Sequence, residues 1–186
     1  MKKLLAFVLA VLMVSACFAG CGKKNNGKVE LNDVPVVDIE AAVAEIYGEE
    51  YVCNMDIPAE FLEENYGVKA EWVSEFVAKM PMISFHVDTF IAVKAAEGQA
   101  DNVEAALTDY RDYVVENSIN YPSNVPKVKA TQVYRLGDYV FYICLGQIDM
   151  MAFDEQYGAE AEAKAEEAAK ANNQKAIDKI DELLKK

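Results

Sequence analysis

The stretch "KATQVYRLGDYVFYICL", Lys129 to Leu145, constrains this chain more than any other. Two runs rich in β-branched and aromatic residues, Lys129 to Leu136 and Tyr139 to Leu145, are separated by Gly137-Asp138. A two-residue glycine-containing insert of this kind is a hairpin signal, because glycine takes the positive φ that lets two strands reverse without splaying. An isolated hairpin is marginal in water, so the pair requires further strands or helices to cover it.

A third strand is legible from Phe85 to Lys94. Phe85, Val87, Thr89, Ile91 and Val93 alternate with His86, Asp88, Phe90, Ala92 and Lys94, which places them on opposite faces. Trp72 to Met80 is expected to be its upstream partner, with Pro81 ending it; imperfect alternation leaves helix open for this segment. Helical spacing recurs between the strands. Asp38, as N-cap, leads Ile39, Val43, Ile46 and Tyr47 to Gly48, and a short helix runs from Pro58 to near Gly67 with Phe61 and Leu62 inward. Together these two are expected to form a lid. Gln99 to Asn117 carries Val103, Leu107, Tyr110 and Val114 on one face, with Asp101 placed to cap and Glu104 three residues on. The run from Tyr121 to Pro126 breaks the chain. The expected class is α+β: an antiparallel β-sheet covered by helices on one face, plus a C-terminal helical extension.

The N-terminus reads as an export signal. Lys2 and Lys3 precede an apolar run from Leu4 that is too short to span a bilayer core, which takes roughly 20 apolar residues. Small residues then lead directly into cysteine, as in bacterial lipoproteins. Cys21 is the expected lipidation site, with Cys17 as the alternative, since Ala19-Gly20 precede Cys21 and a polar Gly-Lys-Lys-Asn-Asn-Gly stretch follows it. The expected organisation is a signal peptide over 1–20, a flexible tether over 21–35, the α+β domain over 36–157 and an Ala/Glu/Lys-rich helical tail over 158–186. Ile177, Ile180, Leu183 and Leu184 are the tail's only strong apolar residues. It is therefore expected to be largely exposed, and its removal to leave the unfolding of 36–146 nearly unchanged.

A net charge of −13 excludes nucleic-acid binding, which depends on phosphate neutralisation by Lys and Arg. It also opposes adsorption to an anionic bilayer, so membrane association is expected through the N-terminal lipid alone. Catalytic signatures are sparse. His86 is the single histidine, beside Asp88 on a strand, and no zinc, dinucleotide or Walker motif occurs. No cofactor, metal site or catalytic residue is expected, although Asp149, Asp154 and Glu155 carry oxygen ligands suited to a hard cation. Carboxylate pairs such as Glu63 and Glu64, or Asp109 and Asp112, leave an envelope-polymer hydrolase as the alternative function. Cys53 and Cys144 are free to pair outside the cytoplasm or to stay as buried thiols. Tyr110, Tyr113, Tyr121, Tyr134, Tyr139 and Tyr142 crowd the second half of the domain, either as a binding surface or as packing between helix and strands.

"HVDTFIAVKA" at 86–95, the helix bearing Arg111, Tyr121-Pro122 and "LGDYVFYICLG" at 136–146 resemble a family of small lipoproteins of clostridial-type bacteria, domain of unknown function 4358. The resemblance covers roughly Val36 to Gly146. It implies a tethered extracytoplasmic α+β domain and carries no activity, substrate or catalytic residue. The expected function is a non-catalytic, lipid-anchored binding or structural module on the outer face of the bacterial cell membrane, with a cell-wall or protein partner.

Overall fold

A computed structural model describes residues 30–149 and 158–186. The signal segment, Cys17, Cys21, most of the expected tether, Asp154 and Glu155 lie outside the described residues. In chain order the elements are α1 (Val36–Tyr47), β1 (Met55–Asp56), α2 (Ala59–Tyr66), β2 (Val73–Met80), β3 (Thr89–Ala95), α3 (Ala100–Asn117), α4 (Val125–Lys129), β4 (Gln132–Leu136), β5 (Tyr139–Cys144) and α5 (Ala159–Leu184). The strands form one sheet in the order β1-β2-β3-β5-β4, every neighbouring pair antiparallel.

The hairpin forms as the sequence predicts. Leu136 pairs with Tyr139, and Gly137 takes φ +62° while Asp138 stays at negative φ. Its first strand is shorter than expected, because Val125 to Lys129 coil into α4 with Pro126 in the first turn, where its missing N–H costs nothing. Trp72 to Met80 resolves as strand from Val73. The strand read from Phe85 begins only at Thr89; Phe85 to Asp88 lie in the connection from Pro81.

The antiparallel α+β class is what the chain forms, and its helices extend over both faces of the sheet. The reason lies in the two central strands. All six residues of β5 are buried, and in β3 Phe90 and Ala92 face one way while Ile91 and Val93 face the other, all enclosed. Neither strand has a polar face to leave in water. On one side α1 (Val36, Ile39, Val43, Tyr47) and α5 (Ala176, Ile177, Ile180, Leu184) pack on Phe90, Ala92, Phe141 and Ile143. On the other, α2 (Leu62, Tyr66) and α3 (Val103, Leu107) pack on Ile91, Val93, Val140 and Tyr142. The first two helices therefore form no common lid. In α2 only Leu62 of the expected inner pair is buried, and Phe61 is exposed.

The C-terminal helix is present but not a solvated extension. Ala165, Ala169 and Ala176 are buried along with Ile177, Ile180 and Leu184. Alanine contributes little burial itself, but its small side chain lets the helix approach the sheet closely enough for the larger residues to reach the core. The Tyr47 hydroxyl donates to the Asn172 carbonyl at 2.6 Å, tying α1 to α5. The last residues of the expected tether also belong to the fold. Leu31 bridges to Lys185, and the Asn32 N–H donates to the Leu184 carbonyl at 2.8 Å. The Tyr139 hydroxyl accepts from the Val34 N–H at 3.1 Å and donates to its carbonyl at 3.0 Å.

Candidate binding groove

Between α2 and α3 the surface is concave. Gly67 takes φ +70° at the end of α2, the left-handed conformation that closes a helix. The chain turns sharply there, through buried Val68 into a 3-10 turn at Ala70–Trp72. Gly67 lies close to Ala106 of α3, where an added Cβ would meet the alanine methyl at 3.8 Å. The turn sets Trp72 beside the helix, with the Lys69 ammonium 5.1 Å from the centre of the indole ring, a cation–π contact. From α3, Asn102, Ala106, Asp109, Tyr110 and Tyr113 project at spacings of three and four, so they share one face.

The resulting groove has a volume of ≈ 510 Å³. Its walls carry the aromatic rings of Tyr66, Trp72, Tyr110 and Tyr113, and Glu64, Asn102 and Asp109 contribute polar groups. Alanine at 105 and 106 keeps its floor low. Aromatic faces flanked by amide and carboxylate groups can hold a ligand with one apolar face and polar edges.

The six tyrosines singled out in the sequence do not form one surface. Tyr110 and Tyr113 line the groove. Tyr142 stands behind it, buried, its ring centre 5.6 Å from Tyr110 and 6.4 Å from Tyr66. Tyr121 is exposed against Phe85, ring centres 5.1 Å apart. Tyr134 and Tyr139 lie on the opposite face of the sheet, where both stack on Phe141. The groove residues missing from that set, Tyr66 and Trp72, come from the neighbourhood of Gly67. A helix-ending glycine followed within five residues by tryptophan is the signal that could have found them. Of the carboxylates, Glu64 and Asp109 share the groove, one from each of the two pairs noted in the sequence, Glu63 with Glu64 and Asp109 with Asp112. Arg111 donates to its neighbour Asp112.

Other ionisable groups are enclosed. The Lys127 ammonium donates to Oδ2 of Asp88 at 2.5 Å inside the fold. Burial pushes the Asp88 carboxyl up, partly offset by that ammonium. Cys53 and Cys144 are both free and buried, in opposite layers. Burial raises both thiols, that of Cys144 to about 11, so neither is a thiolate nucleophile at neutral pH. Among the described residues no group of three or more His, Cys, Asp or Glu is placed to hold a metal ion, and no helix is long and apolar enough to cross a membrane.

Fold and groove define a five-stranded antiparallel α+β domain with helices on both faces and an aromatic cleft between two of them. Residues 47–145 match the family described as domain of unknown function (DUF4358), and the chain belongs to that family. The match begins at the last residue of α1 and ends one residue past β5, so α5 lies outside it and α1 almost entirely so. No curated protein and no solved structure matches the chain.

Proposed function

We propose that the protein is a lipid-anchored extracytoplasmic binding module, held to the outer face of a bacterial cell membrane through Cys21, whose groove between α2 and α3 binds a saccharide of the cell wall. The observation that carries this reading is the groove's lining, in which Trp72, Tyr110 and Tyr113 offer ring faces beside Asn102, Glu64 and Asp109. Sugars present apolar C–H faces and hydroxyl edges, which suit aromatic stacking with flanking hydrogen-bond groups. The uncharged faces of such a ligand are also compatible with a chain of net charge −13, which disfavours anionic partners.

The test is co-sedimentation of the protein with purified cell-wall sacculi. Trp72→Ala and Tyr113→Ala are each expected to weaken binding about tenfold, the equivalent of roughly 1.4 kcal/mol. Sedimentation unchanged in both variants would reject the groove as the binding site. Glu64 and Asp109 in the same groove give the hydrolytic alternative a concrete form. Release of soluble reducing ends from the sacculi, abolished by Glu64→Gln, would replace binding by catalysis.

A further inference from the structure

At the end of the sheet opposite the β4–β5 hairpin, the fold encloses an ion pair that the groove does not use. Asp88 immediately precedes β3, and Lys127 comes from α4; their side chains are 0% and 6% exposed. Nζ of Lys127 stands 2.5 Å from Oδ2 of Asp88, and this is the ammonium's one hydrogen bond among the described residues. Oδ1 is buried with no hydrogen-bond partner among them. An ammonium carries three N–H donors, so the enclosed pair leaves both donors and an acceptor unmatched. Buried charges are tolerated when such groups are satisfied, which here they are not.

Condensation of the two side chains to an amide removes the mismatch. It leaves one oxygen and one N–H where the ion pair has two and three. The Nζ–Cγ bond forms and one Cγ–O bond breaks. Of the three hydrogens on the ammonium, one stays on nitrogen and two leave with that oxygen as water. Atoms and charge therefore balance within the pair, and no oxidant, reductant or further reactant enters.

In water, hydration of the two ions opposes this reaction, and the fold strips that hydration away. Burial pushes the Asp88 carboxyl up, towards the protonated form that an amine can attack. Cγ lies one C–O bond beyond Oδ2, which puts Nζ within about 3.8 Å of it, against about 3–3.5 Å for a near-attack geometry. Holding the two groups so close replaces a bimolecular encounter with an intramolecular one. The nearest thiol does not compete: Sγ of Cys144 is 3.7 Å from the Lys127 carbonyl oxygen, and burial keeps it protonated at neutral pH.

We infer that Lys127 and Asp88 condense inside the folded domain into an intramolecular isopeptide bond. The link ties α4 to the start of β3 across 39 positions of sequence, and encloses β3 and α3 in the loop. Cys53 and Cys144 are free, so it braces a fold that has no disulfide among the described residues. A cross-link over a loop of this length stabilises by restricting the unfolded chain. It forms whether or not the groove binds polymer.

The experiment digests the purified full chain with trypsin and sequences the peptides by tandem mass spectrometry. The bulk of the protein is expected to give a branched species, in which residues 80–94, carrying Asp88, are joined to residues 112–129 through the Lys127 side chain. It should be lighter than its two linear parts by one water, with no cleavage after Lys127. Lys127→Arg keeps the charge but not the nucleophilic amine, and should give linear peptides only. Should that variant fail to fold, the wild-type digest decides alone. Cleavage after Lys127 with Asp88 in a linear peptide of full mass, a lost water that maps to other residues, or a branched species that persists in Lys127→Arg would each overturn the inference.

Discussion

Oδ1 of Asn173 accepts a hydrogen bond from the backbone N–H of Leu145 at 2.8 Å, fastening α5 to the chain just beyond β5. The same amide donates through Nδ2 to the Ala130 carbonyl at 2.8 Å, between α4 and β4. Asn173 is 1% exposed, so both backbone groups depend on it. Asn173→Ala should lower stability by about 2–6 kcal/mol in urea unfolding, since it strands two buried groups at roughly 1–3 kcal/mol each. Deleting the chain after Gly158 should go further and abolish cooperative unfolding, because it leaves α1 alone on one face of the sheet and removes Ile177, Ile180 and Leu184, worth about 1.5–3 kcal/mol apiece. Unfolding unchanged by either alteration would mean that α5 is an appendage after all.

Gly137→Val is expected to destabilise the protein by more than about 1 kcal/mol. At φ +62° a β-branched residue is strained, and its Cβ would fall 2.6 Å from Cδ1 of Leu31. The two contributions separate experimentally. Adding Leu31→Ala removes the clash but not the dihedral strain, so the double variant should remain destabilised beyond Leu31→Ala alone. Full recovery to the level of that single variant would assign the cost to the clash.

The hairpin, the facing of β3 and the helix over 99–117 were legible because each rests on local periodicity or turn chemistry, which neighbouring residues determine. What was not legible depends on distant partners. Asn172 and Asn173 look like polar breaks in an alanine-rich helix, yet their partners are Gln147, Leu145 and Ala130. Asp101 and Glu104 have the spacing of a cap, but both instead pair with Arg135 on β4. Asp88 reads as the polar side of a strand and is turned inward by Lys127, 39 residues away. The groove was half visible. Tyr110 and Tyr113 belong to a helix whose face could be read, whereas Tyr66 and Trp72 join them only through the turn at Gly67.

Lipid attachment is expected at Cys21. Cys21→Ser should abolish incorporation of labelled fatty acid and release the protein from the membrane fraction, while Cys17→Ser should leave both unchanged. The diacylglyceryl group adds two chains, enough for stable anchoring where one chain would hold only weakly. The reverse pattern would move the site to Cys17. Leu31 packs beside the hairpin, so a lipid on either cysteine would be expected to enter the described part of the fold at its hairpin end.

Alkaline pH should unfold the protein, with Cys144 as one identifiable contributor. Its thiol is raised from an ordinary value near 9 to about 11, first by burial, with Asp88 adding and Lys127 and Thr131 opposing. In the unfolded chain this thiol loses its proton as pH rises past about 9, while in the folded chain it keeps it until about 11. Through that window the unfolded state binds fewer protons, so stability falls as pH rises; below it the group has no effect on the slope. A shift of two units corresponds to about 3 kcal/mol, all of it lost once pH exceeds the folded value. Cys53 and the buried tyrosines Tyr47, Tyr66 and Tyr142 are raised for the same reason and steepen the decline. Urea midpoints measured from pH 8 to 11 should therefore drop, and Cys144→Ala should make the drop shallower. Parallel curves for the two proteins would show that this thiol ionises as readily folded as unfolded, and that the layer beneath α3 is open to solvent.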